Sequence, residues 1–305
     1  MNYPLTVFTT TFNRAYIIDK LYMSLVAQTN KNFIWLIIDD GSTDNTKDLI
    51  KSWIEEDVIK IRYFYKSNGG MHTGHNTAYE LIDTELNVCI DSDDHMPHNA
   101  VDLIIKKWSF LNDKNKFAGI IGLDAFNNGK IVGTEIPDNL KQGTLLELYE
   151  DHGVKGDKKI VLRTDLAKKY PRYPKFGNEK LVPLDVLYLM IGKDYDFLYS
   201  NDVYCIVEYQ LDGSSNTIFG QYKASARGFA YARKIKIKYS KSTKSIVKSY
   251  IHLVSSALFA KDIRIAFKGV NSLFTILVMP ISIMFNWYIR FKIKKEQSIR
   301  QIDRR

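Results

Sequence analysis

The apolar run Leu86 to Ile90 ends in Asp91-Ser92-Asp93-Asp94. Two carboxylates one residue apart at such a tip are hard oxygen ligands suited to Mg²⁺ or Mn²⁺. Acids cannot grip a phosphate directly because like charges repel, so Asp91 and Asp93 make chemical sense with a cation between them and a diphosphate. An acidic turn that caps the next helix is the competing reading, and position has to decide. Three other apolar runs end in comparable material: Thr9-Thr10-Thr11-Phe12-Asn13-Arg14, Asp39-Asp40-Gly41-Ser42, and Asn68-Gly69-Gly70-Met71-His72. Asp39 suits hydrogen bonds from a ribose or base, or equally an Asx-turn. Neither a dinucleotide fingerprint nor a P-loop follows the first run, which removes those two ways of holding phosphate. The pairs His72/His75 and His95/His98 lack a third soft ligand and sit beside carboxylates, which argues against zinc.

These tips need a scaffold, and the spacing of apolar residues supplies one. Strands are expected over Leu5–Phe8, Phe33–Ile38, Ile59–Tyr65 and Leu86–Ile90, the continuous run FIWLII being what a strand covered on both faces requires. Helices are expected between them: one carrying Ile17, Leu21 and Leu25, one carrying Leu49, Ile50, Trp53 and Ile54, one after Gly69-Gly70, and one starting at Pro97. This alternation implies an α/β fold with a Rossmann-like, mostly parallel sheet and flanking helices. In such a sheet, ligands bind beyond the carboxyl ends of the strands, where all four polar tips fall. Beyond Asn112 the pattern loosens into pieces at Gly119–Leu123 and Lys130–Gly133 and a helix near Leu145–Tyr149, which reads as an added lobe over the sheet. The chain thus divides into 1–112 and 113–220 as two halves of one domain, and 221–305 as a helical tail.

In order and spacing, TTFNR, SLVAQT, FIWLIIDDGSTDNT, NGGMHTGHN and CIDSDD resemble the family 2 glycosyltransferases of the GT-A fold, strongly over residues 4–110 and weakly to Ser214. The resemblance implies a transfer of sugar from a nucleoside-diphosphate sugar, a UDP-sugar foremost, with Mn²⁺ or Mg²⁺ as cofactor. It places Thr9, Thr11 and Arg14 in the nucleotide pocket, Asp39 and Asp40 at base and ribose, and Asp91 and Asp93 at the metal and diphosphate. NGGMHTGHN resembles the branch that reads NGGKHTALN, which puts Gly70, Met71, His72 and Asn76 in the donor site, with Met71 where that branch has lysine.

An inverting transfer needs a carboxylate to take the acceptor's proton. Gly177-Asn178-Glu179-Lys180-Leu181-Val182-Pro183-Leu184-Asp185, before the apolar Val186–Ile191, resembles the family's acidic helix start, although Leu184 stands where glutamate is frequent. Asp185 is therefore the expected base and Glu179 the reserve, with helix capping as the plain alternative for Asp185. Glu208-Tyr209-Gln210-Leu211-Asp212-Gly213-Ser214-Ser215 resembles a Y-x-x-x-G-x-S segment on the acceptor side, where Gly213 suits a tight turn.

Composition bounds the rest. With 305 residues and 45% hydrophobic content the chain can bury a large core, and its two cysteines, Cys89 and Cys205, form no disulfide framework and suit a reducing compartment. The start lacks a secretory pattern, so a cytoplasmic body is expected. Net charge is +9, but residues 221–305 hold 19 Lys and Arg against 3 acids, leaving the remainder at −7. Val270–Ile289 carries no charge and has about the ~20-residue length of a membrane span, and Arg290, Lys292, Lys294 and Lys295 follow. Pro280, Asn271, Ser272 and Asn286 interrupt it, so a kinked or interfacial segment on an anionic membrane surface stands beside a span, a buried hairpin and a protein-partner surface. The tail thus favours the inner face of the cell membrane and a glycan or lipid-linked acceptor over nucleic acid, and the oligomeric state stays open. A sugar nucleotidyltransferase and a catalytically silent, membrane-tethered assembly partner are the alternatives. The first lacks its glycine-rich basic loop after strand one, and the second draws only on Leu184 and Met71.

Overall fold

The computed structural model describes residues 3–208 and 218–302, with side chains through Lys295. Two compact units emerge, Met1–Tyr173 with Leu187–Gln210, and Pro174–Val186 with Leu211–Arg305.

The first unit is built on one eight-stranded sheet. Strands β1 (Leu5–Thr11), β2 (Phe33–Asp39), β3 (Lys60–Tyr65), β4 (Leu86–Cys89), β5 (Phe117–Phe126), β6 (Gln142–Gly143), β7 (Lys158–Arg163) and β8 (Asp196–Val207) lie in the order β3-β2-β1-β4-β7-β5-β8-β6. The first four are parallel and joined by α1 (Asp19–Val26), α2 (Thr46–Glu56) and α3 (Met71–Leu81), since parallel neighbours need crossover connections. Every residue of β2 is buried, which explains its unbroken apolar sequence. Side chains alternate across β1. Val7 joins a cluster in which Trp35, Trp53 and Tyr22 stack, the Tyr22 and Trp53 rings 4.3 Å apart. Phe8 faces the other way, edge-on to His75 and Tyr79 of α3.

The added lobe expected beyond residue 112 is instead a continuation of the sheet. β7 inserts antiparallel between β4 and β5, and β8 runs parallel to β5. β5 is buried along nine of its ten residues, so it needs neighbours on both edges and cannot sit above the sheet as a separate layer. Lys130–Gly133 forms no strand, only a single bridge between Ala125 and Ile131. Helix α4 spans Ala100–Ser109 rather than starting at Pro97, whose carbonyl accepts the Ala100 amide in the preceding turn. The later helices are α5 (Leu145–Glu150, with a Thr144/Glu147 capping box), α6 (Thr164–Lys169) and α7 (Asp185–Ile191).

The second unit is helical, as its composition implies: α8 (Ile218–Ala224), α9 (Ala226–Tyr239), α10 (Thr243–Phe259) and α11 (Ser272–Ile302). Its core gathers Tyr250, Val254 and Ala257 of α10, Ala266, and Val278 of α11.

Candidate functional site

The ends of β1, β2 and β3 are tied by side chains that the sequence offers as ligand contacts. Asp40, 4% exposed, accepts the amides of Gly69 at 2.9 Å and Gly70 at 2.7 Å on its two carboxylate oxygens, and pairs with the Lys66 ammonium. Lys66 also donates to Thr73 Oγ1 at 3.0 Å. This bracing holds Gly70 at φ +89°, a conformation glycine tolerates, as the residue that launches α3. Gly41, at φ +92°, lets the β2 turn approach the β3 turn so closely that a Cβ there would lie 2.8 Å from the Asn68 amide. Asp39 is fully buried, accepting the Ser42 amide at 2.7 Å and the Tyr63 hydroxyl at 2.6 Å, and burial followed by Asp39 itself raises the Tyr63 phenol. In this structure Asp39 thus meets an amide and a phenol, and Asp40 two amides and an ammonium, all brought from the neighbouring strand ends.

Thr9 has no exposed surface, and its hydroxyl receives the Trp35 indole N–H at 3.0 Å. Thr11, 3% exposed, keeps a buried hydroxyl without a hydrogen-bond partner, and Arg14, half-buried, donates to Tyr16. Between them Asn13, at φ +53°, accepts the Thr43 amide at 2.7 Å and fastens the β1 loop to the β2 loop.

On α3, Met71 is half-buried while His72 and His75 are each 1% exposed. His75 lies 3.3 Å from the Tyr79 hydroxyl and 3.5 Å from Cys89 Sγ. Burial, then His72 and Lys159, push its imidazole down to about 3, so it is neutral. Asn76 uses both ends of its amide on the Tyr173 backbone, at 2.8 and 3.0 Å, which tethers that segment to α3.

At the β4 tip Asp91 and Asp93 are both partly exposed, whereas Asp94 is 8% exposed and accepts the Glu208 amide at 3.2 Å and the Cys205 thiol at 3.6 Å. Burial pushes the Asp94 carboxyl up to about 7, Lys159 opposing and Asp91 adding to the rise. Lys159 of β7 lies behind this tip, 3.8 Å from buried Asp124. Burial alone lowers its ammonium, but Asp124, Cys205, Asp91 and Asp94 outweigh it and raise the group well above the lysine range. The loop beyond the aspartates is pinned twice. His95 and Ile206 exchange both backbone hydrogen bonds, at 3.0 and 2.7 Å. Buried Gln28, from SLVAQT, donates to the Pro97 carbonyl at 2.7 Å and accepts the Val101 amide at 3.1 Å.

Gln28, Lys66 and Lys159 were not singled out from sequence. Only Gln28 left a signal there, as a polar residue closing an apolar helical stripe. Among the described residues no group of three or more His, Cys, Asp or Glu is placed to hold a metal. A cation at Asp91 and Asp93 fits this donor set on one condition: the protein gives two accessible hard oxygens, and diphosphate and water complete the shell, as Mg²⁺ and Mn²⁺ accept.

In the second unit Glu179 is spent on α9. Its two oxygens accept the amides of Arg227 at 3.0 Å and Gly228 at 2.9 Å, satisfying orphan donors at the helix start. Asp185 opens α7 with part of its surface reaching solvent, while the protein packed around its carboxyl displaces enough water to raise it, against the pull of Arg233 and Lys236. The Asp185 carboxyl also accepts backbone amides at its own helix start, from Asp185 and Val186, as a capping acid does. Tyr209 to Ser215, including Gly213, lies outside the described residues.

Comparison with known proteins covers the same ground. The family model described as Glycosyl transferase family 2 matches residues 6–155. A Campylobacter jejuni protein named GalNAc(5)-diNAcBac-PP-undecaprenol beta-1,3-glucosyltransferase is 28% identical over 105 residues, 34% of this chain and 34% of that one. Across the curated relatives the matched stretch spans between 14% and 34% of their own length. Among solved structures, Staphylococcus aureus TarS 1-349 in complex with UDP-GlcNAc superposes with a TM-score of 0.55 at 16% identity, over 84% of this chain and 81% of that one. The mannosyltransferase PcManGT of Pyrobaculum calidifontis, in complex with GDP-Man and Mn²⁺, gives a TM-score of 0.55 at 16% identity over 95% and 83%. These likenesses establish a GT-A fold.

Proposed function

Because this chain belongs to glycosyl transferase family 2, we propose that it transfers a sugar, with inversion, from a UDP-sugar or similar nucleoside-diphosphate sugar to a glycan or lipid-linked acceptor in cell-surface polysaccharide assembly. The observation that carries the reading is the pair of accessible carboxylates, Asp91 and Asp93, at the tip of β4, where four parallel strands end together. Asp91 and Asp93 would hold the divalent ion, which when bound would supply positive charge to a leaving diphosphate. Thr11, Arg14, Met71 and His72 belong to the donor side. Asp40, Asn13 and Gln28 act one step back, fixing the loops that carry those groups. Asp185 takes the proton from the attacking hydroxyl, a role its raised carboxyl suits. The lipid-linked acceptor and the inner membrane face draw support from the undecaprenol-linked acceptor in the relative's name and from the basic, apolar tail.

The test is donor turnover and UDP binding in Asp93→Ala across a Mn²⁺ titration. Loss of both at every Mn²⁺ concentration, with an unchanged thermal melt of the free protein, is the expected result. Turnover equal to wild type at saturating Mn²⁺ would overturn the metal assignment.

A further inference from the structure

Helix α11 is apolar around most of its circumference, yet its two sides do different things. Thr275, Val278, Ser282, Asn286, Ile289 and Ile293 are buried, each at most 7% exposed. They hold α11 to its own unit: Asn286 donates to the Ser255 hydroxyl at 3.0 Å and carbonyl at 3.1 Å on α10, and Thr275 donates to the Ala266 carbonyl at 3.1 Å. The opposite side carries Leu273 (76% exposed), Leu277 (72%), Met284 (69%), Trp287 (73%) and Phe291 (64%), with Ile276, Ile281 and Ile283 between. At 100° per residue the exposed set fills a continuous arc of about 160°. Pro280 lies within the same arc and is exposed. Lys294 and Lys295 fall on the arc one turn past Phe291, and Arg290 and Lys292 flank it.

We propose that α11 lies in the plane of an anionic bilayer surface, inserting the Leu273–Phe291 face among the headgroups, and does not cross the membrane. Its length and composition would permit a span. A crossing is excluded by what α11 is bound to. α10 packs along it through Ser255, His252 and Tyr250, and α9 packs on α10 with Arg233, Lys234, Lys236 and Lys238. Taking α11 through the hydrocarbon would carry those cations in with it. Laid flat, the apolar arc enters the interface and the basic end meets anionic headgroups. Charge complementarity thus selects a lipid surface over an apolar protein partner. The inference deepens the membrane-face reading, but it needs no donor, so it stands or falls separately from the Asp93 test.

Trp287 supplies the experiment, since Trp35, Trp53 and Trp108 are 0%, 5% and 2% exposed and it alone is accessible, at 73%. Full-length protein is mixed with phosphatidylcholine vesicles, with and without about 30% phosphatidylglycerol, and floated. The expected result is at least about tenfold tighter binding to the anionic vesicles, weakened by salt. Fluorescence should be quenched by lipids brominated near the headgroup more than by lipids brominated near the chain ends, and Trp287→Phe should abolish the effect. Leu277→Glu with Met284→Glu should lose vesicle binding without lowering the melting temperature, because both sites are exposed, and Lys294→Gln with Lys295→Gln should lose the anionic preference. Absence of binding to either vesicle overturns the proposal. So does deepest quenching at the bilayer centre, which signals a span, or a dimer in light scattering that Leu277→Glu dissociates, which signals self-association through this face.

Discussion

Asp40→Ala separates a scaffold acid from a ligand acid. The Asp40 side chain is 6% exposed and its carboxylate is the acceptor for Gly69 N–H, Gly70 N–H and the ammonium of Lys66, whose side chain is 15% exposed. Deleting one member of a buried ion pair costs about 3–5 kcal/mol, and a buried amide left without an acceptor costs about 1–3 kcal/mol. Lys66 keeps the Ser67 carbonyl and Thr73 Oγ1, so the loss falls toward the lower end, about 3 kcal/mol. Asp40→Asn retains one acceptor oxygen but turns an NH₂ toward an amide donor and an ammonium, for about 2 kcal/mol. With a urea slope of about 2–3 kcal/mol/M, the midpoint should fall by about 1 M for either change. The assay is urea unfolding by tryptophan fluorescence in a Trp287→Phe background, where Trp35, Trp53 and Trp108 all report on the first unit. A variant Asp40→Asn that unfolds at the wild-type midpoint yet fails to bind UDP with Mn²⁺ would refute the reasoning and return Asp40 to the nucleotide.

Glu179→Ala should lower stability by about 1 kcal/mol through the lost helix cap while leaving kcat within about threefold. Asp185→Asn should leave the melt unchanged and cut kcat by about 10²–10⁴, as removal of a general base does. Equal kcat losses in the two would contradict the assignment. For pH, burial holds the His75 imidazole near 3 in the fold against 6.5 unfolded. A depressed pKa means that the unfolded chain binds more protons between those values, so this contribution is complete above pH 6.5 and is lost as pH falls toward 3. At pH 5 the loss is about 2 kcal/mol. Asp94, raised to about 7, works in the opposite sense over part of the same window. The readout is therefore the difference in melting temperature between wild type and His75→Gln, which should shrink on going from pH 7.5 to 5; a constant difference would contradict the buried neutral imidazole.

What could be read from the sequence, and what could not, follows from how far each feature reaches along the chain. β1 to β4 and α1 to α3 are local patterns, apolar runs and 3.6-residue stripes, and they announce themselves. So does the placement of Asp91 and Asp93, which follows from where β4 ends. The use of an acid is not local. Asp39 and Asp40 have the same type and burial whether they face a nucleotide or a turn, and the choice is made by Tyr63, Lys66 and the Gly69–Gly70 amides, which arrive only when β2 and β3 align. Glu179 meets its amides 48 and 49 residues later, and Lys159 reaches the β4 tip only through the antiparallel insertion of β7.

Helix α11 makes the same point from the opposite direction. Read as a string, Pro280, Asn271, Ser272 and Asn286 weaken a membrane segment; in the fold Asn286 is 2% exposed and, together with buried Thr275, binds α11 to its unit. Two apolar faces of one helix, one packed and one bare, sum to a run that hydropathy alone scores as a span. Thr275 and Asn286 mark which face is packed, because each donates to a partner outside α11, the Ala266 carbonyl and Ser255. The side with no such residues is the side that must find its apolar neighbour elsewhere, and the lysines at its end state which neighbour that is.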